Sequence, residues 1–219
     1  KQVCLESGNW LLAFMTFRKP PLEPRKRPTQ SRSEVTFDAI LEAAARILEE
    51  DGLQDLNTNV IAERAGVSIG TLYQYFPTKE VILAELSLRM RRDLLAKITA
   101  IIRDNRFERF EDRLDQLILL AIDRLFDRPG LSHALGYAEA YLPLYEEETD
   151  ITRQFEESLA AFLGNHAVPD PVVTGRDLNA MARGMIEAAF KAGETDRDAL
   201  LIRIRKALMR YLGHPSAPE

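Results

Sequence analysis

Residues 57–79, NTNVIAERAGVSIGTLYQYFPTK, constrain this chain more than any other stretch. They predict two short helices joined by a tight turn, the second ended by Pro77. Ala62 is small, so the second helix can pass close by, and Gly66 permits the positive φ of the turn. Ile61, Ala65, Val67 and Leu72 are the apolar positions that lock the pair at a fixed angle, and Leu72 and Phe76 should point into a small core. The face from 68 to 75 is left without core duty and carries hydroxyl, amide and aromatic groups. Such a face can lie in a major groove.

Each residue of that face has a chemical use against a duplex. Ser68 can cap the helix and leave its N-terminal end open to a phosphate. Gly70 lets the backbone come close. Gln74 suits a paired hydrogen bond to adenine, and Ile69 and Thr71 suit a thymine methyl. Tyr73 and Tyr75 can donate to phosphate oxygens or pack on sugar. Lys79, near the start of the next helix, suits a phosphate.

The flanks read as helix throughout. Phe37, Ile40, Leu41, Ala44, Ile47 and Leu48 form one stripe over residues 36–51, and Gly52 stops it. Asn57 or Thr58 can cap the second helix, and Thr78 the fourth. Further helices are expected over 107–127, 131–141, 146–165, 173–191 and 196–212, with Arg128-Pro129-Gly130 closing the first of these. No stretch shows strand alternation. The fold class is therefore all-α: a three-helix DNA-binding domain with a helix-turn-helix, followed by a larger helical domain. The boundaries are 1–32 for a disordered basic arm, 33–80 for the DNA-binding domain and 81–219 for the larger helical domain. Residues 1–14 read as upstream sequence and Met15 as a native start. Between 16 and 32 there are six basic residues and one acid, Glu23, so the arm can track phosphates or enter a minor groove.

Composition excludes little but helps. The net charge of −5 argues against non-specific coating of nucleic acid, although local charge can differ from the total. The single cysteine, Cys4, allows no internal disulfide and fits a reducing compartment such as the cytoplasm. The three histidines are far apart, and no zinc site, cofactor site or membrane span is expected. No nucleophile elbow or phosphate-cradling loop points to an enzyme.

Residues 36–83 resemble the DNA-binding domain of the TetR family of bacterial transcription regulators. The resemblance rests on Ile61-Ala62, Ala65-Gly66-Val67-Ser68, Gly70-Thr71-Leu72-Tyr73, Tyr75-Phe76 and Lys79-Glu80. It implies that Thr58, Tyr73, Tyr75 and Lys79 touch the DNA backbone, while Ile69, Thr71 and Gln74 face the bases. It also implies a homodimer on a palindromic operator, built through the last two helices. Ala180, Gly184 and Ala188 form a small-residue ridge for that seam, with Ile204 and Leu208 on the final helix. The middle helices would then sense an unknown small molecule, with Phe126, His133, Tyr137, Tyr141, Phe155 and Phe162 as pocket candidates. The expected function is a ligand-responsive repressor released by its effector. The alternative is a DNA-bound structural or cell-division factor of the same fold without one.

Overall fold

A computed structural model describes residues 23–27, 31–139 and 145–213, without the side chains of 31, 137–139 and 145–149. Among the described residues there are nine helices and no strand. They are α1 (Ser31–Glu50), α2 (Thr58–Arg64), α3 (Ile69–Tyr75), α4 (Lys79–Arg103), α5 (Phe110–Phe126), α6 (Pro129–Glu139), α7 (Tyr145–Asn165), α8 (Pro171–Lys191) and α9 (Arg197–Tyr211). No helix among the described residues is long and apolar enough to cross a membrane. The expectations for residues 1–22 and 28–30 lie outside the described residues, as do Tyr141 and the side chain of Tyr137.

Several helix starts differ from the expectation, each for a local reason. α1 begins at Ser31 instead of residue 36, where the Thr36 hydroxyl donates to the Arg32 carbonyl at 3.2 Å and Glu34 meets the positive end of the helix dipole. α5 begins at Phe110 because the Asp104 carboxylate accepts the Arg106 backbone N–H at 2.9 Å and bends the chain first. α6 and α8 begin on Pro129 and Pro171, which the sequence offers as breaks. Proline has no N–H to lose at a first helical position, so it starts these helices as readily as it ends others.

The helices bury two apolar cores. The first gathers Phe37, Ile40, Ile47, Ile61, Leu72 and Phe76 with Val81 and Ile82 of α4, and also Leu131, Ala134 and Leu135 of α6. The second joins α5, α7, α8 and α9 through Leu114, Ile122, Phe162, Leu163, Leu178 and Ile204. Thus α6, which follows the proposed boundary at residue 80, packs against the amino-terminal head.

The α1–α6 joint is close and charged. An added Cβ at Gly130 would lie 2.8 Å from the Glu49 carbonyl oxygen, so the backbones approach as only glycine allows. Beside it Arg128 donates to both oxygens of Glu49, at 2.5 and 2.9 Å. This hydrogen bonding holds the Glu49 carboxyl below its ordinary range. Asp123 and Asp127 both pair with Arg197 at 2.7 Å, which ties the end of α5 to α9.

Substitutions at this joint have expected outcomes. Gly130→Ala should destabilise the fold by about 1–3 kcal/mol in chemical denaturation, since the added methyl meets backbone. Gly136→Ala, whose Cβ meets nothing within 4 Å, should gain about 0.4–1 kcal/mol. Arg128→Gln should cost up to about 1 kcal/mol near neutral pH. A carboxyl whose folded pKa is depressed stabilises above its unfolded pKa and stops doing so as pH falls through the folded one. The deficit of the variant should therefore shrink below about pH 4, which melting curves across pH would follow.

Candidate nucleic-acid interface

Helices α2 and α3 have seven residues each, too few to persist alone in water. Caps and packing must fix them. The Asn57 side chain accepts the backbone N–H groups of Asn59 at 3.1 Å and Val60 at 3.0 Å. Gly66 turns the chain at φ +68°, and the Val67 N–H returns to the Ala62 carbonyl at 3.0 Å. Ser68 caps α3 by accepting the Thr71 N–H at 3.0 Å, and its hydroxyl lies 2.8 Å from that of Thr71. Leu72 and Phe76 are fully buried, with the Phe76 ring 4.7 Å from that of Phe37.

The C-terminal end of α3 is satisfied from far away in sequence. The Arg25 backbone N–H donates to the Tyr75 carbonyl at 2.8 Å, and its guanidinium reaches the Tyr73 carbonyl at 3.5 Å. These are carbonyls that the helix itself cannot pair, and a cation suits that end of the dipole. Arg25 therefore ties the segment 23–27 to the end of α3. No local pattern in the sequence signals a bond across 48 residues; the basic composition of the arm was the only clue.

The opposite face of α3 is open. Ser68, Ile69, Gly70, Tyr73 and Gln74 are exposed, and Thr71 is half-buried. The Tyr73 hydroxyl lies 3.1 Å from that of Thr58, so α2 and α3 bring two hydroxyls to one point. An added Cβ at Gly70 would meet only the Ser68 hydroxyl oxygen, at 3.8 Å. The fold does not need a glycine there. Lys79 donates to the Leu56 carbonyl at 3.2 Å and pins the start of α4 to the connector before α2. Its ammonium keeps two further donors.

Tyr75, expected at the DNA backbone, is buried: the residue is 7% exposed and its ring meets that of Phe37 edge-on at 5.9 Å, so the ring is a wall of the head core. On a seven-residue helix it shares the inward face with Leu72 and Phe76.

The expected ligand residues in the described part pack in or around the second core and do not line an open groove. Phe126 and His133 both pack on Phe190, at 5.5 and 4.8 Å between ring centroids. Phe162 is buried in the second core and stacks on Phe110 at 5.1 Å, with Phe155 packed beside that core. An open groove of about 720 Å³ lies between α4 and α7 among the described residues. Arg92, Leu95, Thr99, Arg103, Asp150 and Ile151 line it, and Phe126, His133, Phe155 and Phe162 do not. Among the described residues no group of His, Cys, Asp or Glu is placed to hold a metal ion.

The expected dimer residues divide. Ala180, Gly184 and Ala188 are on one stripe of α8, where all three are exposed and an added Cβ at Gly184 would meet nothing within 4 Å. Ile204 and Leu208 are the correction: they are 0% and 2% exposed and belong to the second core of their own chain. The exposed apolar residues of α9 are Ile202 and Tyr211, a phase of the helix that its periodicity alone did not single out.

Comparison with known proteins meets this geometry at both ends. Residues 40–86 match the family model for bacterial regulatory proteins of the tetR family, and residues 109–212 match a tetracyclin repressor-like C-terminal domain. An uncharacterized HTH-type transcriptional regulator of Mycobacterium tuberculosis is 26% identical over 201 residues, covering 86% of this chain and 95% of that protein. The nucleoid occlusion factor SlmA of Serratia proteamaculans is 29% identical over 160 residues, covering 68% of this chain and 80% of that protein. In structure, the transcriptional regulator FadR of Bacillus subtilis, solved in complex with stearoyl-CoA, superposes with a TM-score of 0.66 at 19% identity, covering 78% of this chain and 97% of that one.

Gly70 offers a test that separates folding from contact. Gly70→Ala should raise stability by about 0.4–1 kcal/mol, because the helix gains a better former with room for it. The same variant should bind DNA less well than the wild type. Equal binding would remove the case for close backbone approach at this position.

Proposed function

This chain belongs to the TetR family of bacterial regulatory proteins, and from that premise we propose that it is a dimeric repressor that grips a palindromic operator and is released by a small molecule. The observation that carries the reading is the split of α3 into two faces. Leu72, Tyr75 and Phe76 anchor it, while Ile69, Gly70, Tyr73 and Gln74 stand out from the surface. In this reading Gln74, Ile69 and Thr71 meet base edges. Thr58, Tyr73 and Lys79 hold phosphates, the first two through their adjoining hydroxyls. Ser68 orients the start of α3 through its cap.

One head makes few contacts, so operator affinity calls for two. Gly184 supports the seam. A glycine inside a helix gives up about 1 kcal/mol against alanine, and nothing within 4 Å of its added Cβ gives it a packing reason. The stripe of Ala180, Gly184 and Ala188 suits close approach by the same stripe of a second copy, as an isologous two-fold contact requires.

The effector site of this reading is the α4–α7 groove. Leu95 and Ile151 give it an aliphatic lining and Arg103 a cation, while Arg92, which also lines it, is paired with Glu85. The rim carboxylate, Asp150, is already engaged by Arg153 and Gln154. The groove therefore favours an anionic molecule with an apolar part. FadR with its stearoyl-CoA supports the class of ligand, and effector action follows from differential affinity for two dimer geometries. The kinship with SlmA supports a second reading, a DNA-bound division factor that needs no effector. Mapping bound sites in cells separates the two, since promoter palindromes favour the repressor and scattered chromosomal sites favour the other.

Selection of bound sequences from a random duplex pool tests the main reading. A palindrome is expected, with half-sites about one helical turn or a multiple apart. Gln74→Ala should relax one base position in each half-site by about 1–3 kcal/mol. Gly184→Leu should give a folded monomer by light scattering, with much weaker operator binding. A wild-type chain that selects no sequence would sink the proposal.

A further inference from the structure

Among the described residues, Glu85 is the buried charge that neither the reading helix nor the groove explains. Its side chain is 6% exposed, inside the run of buried residues that opens α4. Its Oε2 is buried without a hydrogen bond. Two guanidiniums face it: Arg27 at 3.6 Å from Oε2 and Arg92 at 3.5 Å from Oε1. Taking a carboxylate out of water is costly, and such a group normally has its oxygens satisfied. Packing alone does not call for a glutamate here, since the neighbouring buried positions are Val81, Ile82, Leu83, Ala84 and Leu86.

What Glu85 does hold is the chain ahead of α1. Arg27 sits on it, and two residues earlier Arg25 is bonded through backbone and side chain to the end of α3. Between these two anchors lies Lys26, exposed to solvent. Arg25 is also exposed and uses one guanidinium N–H on Tyr73, which leaves the rest of its fork available. Arg25 thus stands at the backbone of the exposed Tyr73, at the rim of the face assigned to the major groove, and Lys26 follows it in the chain, open to solvent.

We propose that Arg25 and Lys26 form a second phosphate clamp, which binds the duplex backbone beside the α3 contact, and that Glu85 is its positioning residue. The proposal rests on the reading of α3 as the groove-reading helix. The clamp explains why a buried carboxylate is kept: it fixes the exit of the basic segment through Arg27. Phosphodiester oxygens are the ligand class, because the clamp presents cations with no apolar or aromatic partner of its own beyond Tyr73. Base preference then stays with α3, and the clamp adds affinity that depends on salt.

The test uses the full chain and the duplex selected above, with binding measured across a salt series. Lys26→Ala should lower the magnitude of the log K against log salt slope by about 0.9 for each phosphate that is no longer neutralised. Glu85→Gln, close in shape and uncharged, should produce a similar fall in slope while the base preference set by Gln74 stays intact. The double variant should be no worse than the more affected single one. Arg27→Gln serves as the second approach to the same joint if Glu85→Gln does not fold, and it should give the same fall. Unchanged slopes in Lys26→Ala and in the Glu85 or Arg27 variant would overturn the clamp while leaving the reading of α3 standing. Weaker binding by Glu85→Gln that shows as altered base preference at constant slope would also overturn it, since Glu85 would then act by distorting α3. A wild type that binds no duplex is a different failure, that of the reading itself.

Discussion

A seven-residue helix cannot hold its own shape in water, and everything proposed for this protein depends on α3 holding its shape. The structure meets that demand on three sides. Leu72 and Phe76 bury one face against Phe37 and its neighbours. Ser68 closes the amino end. Arg25, from before the first helix, closes the carboxyl end. With these constraints met, the remaining face needs no internal partner, which is the condition for offering it to a duplex.

The same core reaches beyond the head. Leu131, Ala134 and Leu135 of α6 and Val81, Ile82 and Leu83 of α4 are members of it. The head is thus clasped by two helices that also reach α5, and α4 reaches α7 as well. In the proposed reading, a ligand in the α4–α7 groove would act on the head along α4, which the head core holds together with α6, where Gly130 rests on the backbone of Glu49. Tightly packed joints of this kind shift between discrete arrangements more readily than they bend, so a ligand acts by favouring one arrangement.

Glycines mark where the molecule is finished and where it is not. Gly130 and Gly175 sit under close neighbours, the backbone of Glu49 and the side chain of Leu159. Gly70 and Gly184 have room for a side chain that they lack. The first pair is explained by folding. The second pair lies on the faces assigned to DNA and to a second copy, and the proposed close approach there comes from outside the chain.

Much of this was legible in sequence because it is local. The positive φ of Gly66, the caps at Asn57, Ser68 and Thr78, and the burial of Leu72 and Phe76 each follow from residue type and spacing within a few positions. The all-α architecture follows from apolar periodicity of the same short range. Facing is harder, since an amphipathic stripe says that a side chain is buried but not against what. Hence Ile204 and Leu208 belong to their own chain's core, Tyr75 to the head, and Phe162 to a stack with Phe110. The bond from Arg25 to α3, the seat of Arg27 on Glu85 and the clasp of α6 on α1 join residues far apart in the chain. Periodicity carries no information about such pairs, because only the packing of finished helices brings them within reach.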